Sequence, residues 1–101
     1  MSYRIRFTLE AEDDLLRLFD FLLQHDVGTA AKAEAAIYKA LEFLEIFPFS
    51  CRKADDEAHN SLLRELLIPF GSAGYVALFK IENNETVIII AVRHQREDDY
   101  H

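Results

Sequence analysis

The end of the chain carries side chains that could take part in acid–base or phosphate chemistry. They combine fixed positive charge, an imidazole that titrates near neutrality and a phenol, in Arg93, His94, Arg96 and Tyr100. Such groups suit phosphoryl or RNA chemistry, in which one group transfers a proton and cations stabilise the developing negative charge. The alternative is that Arg93 and Arg96 pair with the acidic residues 97–99 and end a strand. From spacing alone we favour these ion pairs, because exposed charge clusters are commonly solvated.

A metal site is a weaker interpretation of the same segment. Its candidate ligands are His94, Asp98, Asp99 and His101. They do not form the paired cysteine or histidine motifs of known zinc sites. The chain also has no glycine-rich phosphate loop, nucleophile elbow or zinc motif. We therefore expect no metal and no cofactor.

Two residues outside the tail are further candidates. Cys51 precedes Arg52 and Lys53, whose charges could lower the thiol pKa, but a lone cysteine after a helix is more often a small buried side chain. Arg64 lies within the core-like stretch 62–68, so its side chain must leave the core. It could pair across strands with an acid such as Glu82, or it could contact a partner. The sequence leaves both roles of Arg64 open.

Length and charge limit the class of protein. The 101 residues predict one domain, spanning 1–101, and the net charge of −7 disfavours direct nucleic-acid binding. The longest apolar run, 87–92, is too short for a transmembrane helix, and the N-terminus lacks the apolar region of a signal peptide. A single cysteine is typical of the reducing cytoplasm. These features predict a cytoplasmic protein whose partners are proteins.

Hydrophobic periodicity predicts the elements that position these residues. Apolar and polar residues alternate over 3–9, which predicts a strand. Thr8 is a plausible N-terminal cap for a helix that runs through about residue 24. Thr29 is a plausible cap for a second helix, which ends at Pro48. Three strands follow, at 62–68, 75–82 and 86–92, the last buried on both faces. The predicted fold is α+β, in the order β-α-α-β-β-β, with a helical hairpin on a largely antiparallel four-stranded sheet. The residues expected to face the sheet are Leu15, Leu18, Leu22, Ile37, Leu41 and Leu44.

Several motifs along nearly the whole chain match a known family. They are Ala11 with Asp14 and Leu15, the helical hairpin, 44–48 leading into Arg52, 63–66, 74–79 and the final string 92–100. In these motifs the chain resembles the ParE branch of the ParE/RelE superfamily, the toxins of type II toxin–antitoxin (plasmid stabilisation) modules. The resemblance implies the same fold. It also implies a cognate ParD-like antitoxin, encoded by an adjacent gene, whose C-terminal segment wraps the toxin in an oligomeric complex.

The resemblance leaves two activities to separate. ParE-branch toxins poison DNA gyrase, whereas RelE-branch toxins cut mRNA on the ribosome. The nucleases have an arginine directly after the glycine–tyrosine pair, where this chain has Val76. Tyr100 matches their terminal tyrosine, and Arg64 and Arg96 match basic positions of the group. We therefore predict gyrase inhibition without catalysis, with endoribonuclease activity through Arg64, Arg96 and Tyr100 as the alternative.

The predicted contact residues follow from this comparison. We expect the partner-binding surface to include Arg64, Arg93, His94, Arg96 and Tyr100. The acidic balance of the chain leaves a third possibility, a non-toxic relic that retains only the antitoxin-binding fold.

Overall fold

Two helices cover one face of a five-stranded sheet. The computed structural model describes residues 2–54 and 62–96. In chain order its elements are β1 (Arg4–Phe7), α1 (Leu9–His25), α2 (Val27–Ile46), a 3-10 turn (Pro48–Ser50), β2 (Arg52–Lys53), β3 (Leu63–Phe70), β4 (Ala73–Ile81) and β5 (Thr86–His94). The sheet order is β1-β5-β4-β3-β2; β1 lies parallel to β5 and the other neighbours are antiparallel. The predicted α+β class and hairpin are confirmed, with β2 as an additional fifth strand.

The two helices begin at capping side chains. The Thr8 hydroxyl accepts a hydrogen bond from the Ala11 N–H at 3.1 Å, so the predicted cap of α1 is confirmed. The predicted cap of α2, Thr29, was wrong by three residues, because the cap is Asp26. The Asp26 carboxylate accepts from both the backbone N–H and the hydroxyl of Thr29, at 2.9 and 2.6 Å. These bonds lower the pKa of Asp26. A carboxylate at this position also interacts favourably with the helix dipole.

The core lies between the helical hairpin and the sheet. Leu18, Ile37 and Leu44 are buried, and the other predicted sheet-facing residues are partly buried against the same cluster, namely Leu15, Leu22 and Leu41. From the sheet, Phe79 and Ile89 are fully buried. The hairpin orientation is therefore confirmed. Neither α1 nor α2 combines the length and the apolar character that crossing a lipid bilayer requires.

β3 and β5 extend further toward their C-terminal ends than the sequence pattern indicates. β3 continues through Pro69, which pairs with Gly74, and β5 continues through Arg93 to His94. Burial along β5 is complete at Val87 and Ile89, while Ile88 is only half-buried. The prediction that β5 is buried on both faces therefore holds fully for one face only.

The buried position of Leu44 gives a test of the core. Leu44→Ala removes a side chain with 0% exposure, and we expect the free energy of unfolding to fall by about 2–5 kcal/mol, measured by urea denaturation. Ile46→Ala is the matched control, because Ile46 is 57% exposed and its loss should change stability by less than about 0.5 kcal/mol. Equal effects of the two substitutions would contradict this packing.

Candidate docking site at the end of the last strand

A β-bulge decides which face of the sheet the tail side chains occupy. Leu78 pairs with Ala91, but the next residue, Phe79, pairs with Ile89, so Ile90 is an extra residue in β5. Side chains alternate between faces along a strand, and one inserted residue reverses the alternation beyond it. His94 therefore lies on the helix side with Ile89, and Arg93 lies on the opposite face. A regular strand would have exchanged the two.

A buried carboxylate fixes α1 against this bulge. Asp14 is 6% exposed, and its Oδ2 accepts a 2.9 Å hydrogen bond from the backbone N–H of Val92. Residues three, four and seven positions apart share a helix face, so the side of α1 that carries Asp14 also carries Arg17, Leu18 and Phe21. The bond therefore sets the distance between these side chains and the end of β5.

His94 is held by ring packing and by the following turn. Its ring meets that of Tyr75 edge-on, with centroids 5.7 Å apart, and Tyr75 in turn stacks on Phe70 at 5.9 Å. Burial raises the pKa of the Tyr75 phenol, so Tyr75 is a neutral packing group. The backbone N–H of Arg96 donates to His94 Nδ1 at 3.1 Å. That bond requires an unprotonated Nδ1 and leaves Nε2 as the hydrogen-bearing nitrogen of the neutral ring.

Gly74 permits the close approach of β3 and β4 next to Tyr75 and His94. Its φ is +134°, and a Cβ at this position would collide with the carbonyl oxygen of Ile68. The Gly74 carbonyl accepts from the backbone N–H of Gln95 at 2.8 Å, which closes the ladder beyond His94. The glycine–tyrosine pair thus has a physical reason, because only glycine allows so close an approach of the strands.

These elements form an open pocket on the helix side of the sheet. A pocket of about 520 Å³ is lined by Arg17, Leu18, Phe21, His94 and Arg96. A smaller pocket of about 210 Å³ adjoins it and includes Tyr75 and Ser72, whose hydroxyl accepts from Arg96 at 3.4 Å. Phe21 is 61% exposed and packs on His25 with centroids 4.6 Å apart. Two guanidinium groups, an imidazole and an exposed phenyl ring therefore share one surface, which we call the tail pocket.

Arg93 does not belong to the tail pocket. It pairs with Val76 on the opposite face, and its Nη1 donates to the carbonyls of His94 at 3.2 Å and Gln95 at 3.4 Å. The predicted cluster is therefore split, with His94 and Arg96 on one face and Arg93 on the other. The predicted ion pairs with 97–99 lie outside the described residues.

Arg64 lies at a different place again. It pairs with Phe79, four residues along β4 from Tyr75, which corresponds to about 13 Å along the strand. Its guanidinium donates to the carbonyls of Cys51 at 2.8 Å and Phe49 at 3.4 Å, and its central carbon lies 5.4 Å from the centroid of the Phe49 ring. These contacts replace the predicted pair with Glu82. Arg64 holds the segment after α2 against the sheet.

The remaining sequence candidates are not brought together in the described structure. Tyr100, Asp98, Asp99 and His101 lie outside the described residues, as does any metal site that uses them. Within 2–54 and 62–96, no three His, Cys, Asp or Glu side chains are grouped as metal ligands. Arg52 forms an ion pair with Glu65 at 3.0 Å.

Two residues of the tail pocket were missed by the sequence analysis. Arg17 and Phe21 lie in α1, one turn apart, outside the apolar face formed by positions 11, 15, 18 and 22. The pattern available in the sequence was an aromatic residue one helical turn from a cation, off the apolar face of α1. Without the position of β5, this pattern does not show that Arg17 and Phe21 lie near His94.

Comparisons with known proteins agree with the fold and with the motifs. A family model described as the ParE toxin of the type II toxin–antitoxin system, parDE, matches residues 5–99. The structure is similar to a chromosomal ParDE toxin–antitoxin system from P. aeruginosa, with a TM-score of 0.69 and 17% identity over 92% of this chain and 96% of that chain. It is also similar to the toxin–antitoxin complex RelBE2 from Mycobacterium tuberculosis, with a TM-score of 0.57 and 23% identity over 93% and 99% of the two chains. No curated protein sequence matches the chain.

The position of Cys51 predicts a pH-dependent reactivity. Burial raises the pKa of the Cys51 thiol, and the nearby charge of Arg64 offsets only part of this effect. At about pH 8, near the ordinary thiol pKa, we therefore expect iodoacetamide to modify the native protein more slowly than the urea-unfolded protein. The difference should persist to higher pH than for an exposed thiol. A native thiol that reacts as fast as the unfolded one would instead support the reactive role suggested by Arg52 and Lys53.

Proposed function

Because the chain belongs to the ParE toxin family of type II toxin–antitoxin systems, we propose that it is a cytoplasmic toxin that inhibits DNA gyrase by binding to it. We further propose that a ParD-like antitoxin from an adjacent gene neutralises it. The two solved structures named above are described as a toxin–antitoxin system and a toxin–antitoxin complex, which supports an antitoxin partner. The target is inferred from the resemblance and from the distribution of the basic residues.

The observation that carries this proposal is the separation of the candidate catalytic groups. A general acid or base must lie within hydrogen-bonding reach of its substrate, directly or through one water. Arg64 binds backbone carbonyls beside Phe49, whereas Arg96 lines the tail pocket beside His94. Val76, at the place of the nuclease arginine, is 2% exposed and carries no charge. This distribution suits a surface that binds a protein better than a site that cleaves RNA.

The tail pocket has the chemistry of a protein contact. Arginine and aromatic side chains contribute most of the binding energy in many interfaces. Arg17, Arg96 and Phe21 supply both types around one depression. Because the whole chain is acidic, a local group of cations is a distinct feature that an acidic patch on a target can recognise. We propose that this surface contacts gyrase.

A second apolar surface suits the antitoxin. A groove of about 540 Å³ runs between α2 and β3, with Ala40 and Phe43 on one side and Leu66 and Ile68 on the other. Phe43 is 42% exposed, so the groove presents a large apolar ring to solvent. Among the described residues, the segment 52–54 pairs with β3 only as far as Glu65, so β3 from Leu66 onward has β4 alone as its neighbour.

This geometry supports binding of an extended segment. An unpaired strand edge offers backbone donors and acceptors, and an adjacent apolar groove accepts alternate side chains. We therefore propose that an extended antitoxin segment lies along β3 from Leu66 toward Ile68. Pro69 lacks an N–H and limits the pairing beyond that point.

The gyrase proposal predicts stoichiometric inhibition. Purified protein should block supercoiling or trap cleaved DNA at amounts comparable with gyrase. The double substitution Arg17→Ala and Arg96→Ala should weaken inhibition by about 30-fold, because two hot-spot side chains are lost. Lys32→Ala with Lys39→Ala removes the same charge from α2 and should leave inhibition nearly unchanged.

Three other results would redirect the proposal. If excess protein had no effect on gyrase, the proposal of gyrase inhibition would be wrong. In-frame mRNA cleavage in translating extract, abolished by Tyr100→Phe, would establish the nuclease alternative. Normal growth on unrestrained induction in a bacterial host would identify the chain as the non-toxic relic.

The antitoxin proposal predicts a localised loss of affinity. Phe43→Ala should weaken binding of the adjacent-gene antitoxin by at least about tenfold in calorimetry, because a groove aromatic is removed. Leu16→Ala is the control, since Leu16 is 62% exposed but faces a different groove, between α1 and α2. Equal losses would place the antitoxin elsewhere.

A further inference from the structure

The face of the sheet that the helices leave uncovered differs in charge from the rest of the chain. Its residues follow from the register: Arg6, Ile88, Lys80 and Leu63 form one row across β1, β5, β4 and β3. Their sequence neighbours Phe7, Ile89 and Phe79 pack toward the helices, so the row points away from them. We call this surface the open face.

Cations predominate on the open face among the described residues. By the same alternation it carries Arg4, Arg6, Arg52, Lys80 and Arg93. The acids on it are Glu65, which is paired with Arg52 at 3.0 Å, and Glu82, whose N–H bonds the Thr86 carbonyl at the turn.

The helical layer has the opposite balance. Its acidic residues are Glu10, Glu12, Asp13, Asp14, Asp20, Asp26, Glu34, Glu42 and Glu45, against the cations Arg17, Lys32 and Lys39. Among the described residues, charge is thus segregated between the helical layer and the open face. A potential of this kind orients an approaching charged partner.

The centre of the open face is aliphatic. Ile88 lies between Arg6 and Lys80 in their row, and Leu78 lies one row further along, paired with Glu65. Both side chains are half-buried, so they present apolar surface between the cations. An apolar strip with a cationic margin is complementary to a segment that offers aliphatic groups flanked by carboxylates.

Among residues 2–54 and 62–96, the strands place on this face no aromatic ring of the kind that binds single-stranded nucleic acid. Proteins that bind single strands stack bases on aromatic side chains. All phenylalanines and tyrosines of the five strands belong to the helix-facing core instead, namely Phe7, Phe70, Tyr75 and Phe79. The net charge also opposes a phosphate backbone at long range. These two observations favour a protein over a nucleic acid.

We propose that the open face is a docking surface for an acidic protein segment in which carboxylates alternate with aliphatic side chains. An extended segment matches the period of the face, because its alternate side chains would meet the Ile88–Leu78 strip and its carboxylates the flanking Arg6 and Lys80. This surface lies on the other side of the sheet from the tail pocket. The proposal therefore does not depend on the identity of the toxin's target.

A defined peptide tests the proposal. The probe is a short fluorescein-labelled peptide of alternating glutamate and leucine, followed by fluorescence polarisation. Arg6→Glu with Lys80→Glu should weaken binding by at least about tenfold. The control, Lys32→Glu with Lys39→Glu, changes the net charge by the same amount, but on the helical layer. It should weaken peptide binding by less than about threefold, since distant charges are screened at about 0.15 M salt. Affinity should fall as salt rises.

Further arms separate the possible outcomes. Arg6→Gln with Lys80→Gln, a milder change, should also weaken binding and shows whether a loss with the glutamate variant arises from misfolding; circular dichroism checks both. A peptide of alternating lysine and leucine should not bind. Equal losses in the helical-layer control, no peptide binding at about 1 mM, or tighter binding of an oligothymidine strand than of the acidic peptide would each overturn the proposal.

Discussion

The hydrogen bond between the Asp14 carboxylate and the Val92 N–H is the contact on which the proposed docking surfaces depend. A carboxylate that is 6% exposed carries a large desolvation cost unless polar groups surround it, and the backbone N–H at the bulge is one such group. The bond connects residues 78 positions apart in sequence and joins the first helix to the last strand. The positions of Arg17 and Phe21 relative to His94 follow from it. The loss of this bond would also leave an N–H without its acceptor inside the protein.

The bulge beside that bond determines which basic side chains at the end of β5 lie on each face of the sheet. Without Ile90 as an extra residue, His94 would point away from the helices and Arg93 toward them. With it, His94 reaches the Tyr75 ring on the helix side. Arg93 joins the cations of the open face. One inserted residue thus places the neighbouring side chains of Arg93 and His94 on opposite faces of the sheet.

The sequence predicted the parts of this structure that local patterns determine. Thr8, the helical hairpin and the β4–β5 pairing follow from capping chemistry and hydrophobic period. The cap at Asp26 was missed because Thr29 is an equally good capping residue, and only the helix start distinguishes them. The bulge was missed because the apolar run 87–92 contains no glycine or polar residue that marks it. The direction of Arg64 was unpredictable because it depends on carbonyls of a segment distant in sequence.

The same architecture favours the proposed docking function over catalysis. When helices cover one face of a sheet, the other face can carry a separate contact surface, here the one proposed around Arg6, Ile88 and Lys80. Catalysis requires several groups to converge on one substrate atom. Here the groups are held apart: Arg64 by the carbonyl of Cys51, Arg93 by the bulge, and Arg96 by the turn that also orients His94. A binding protein can use such separated groups, because each one can contact a different part of a large partner. The physical constraints that separate the basic residues are therefore the same ones that give the molecule its several contact surfaces.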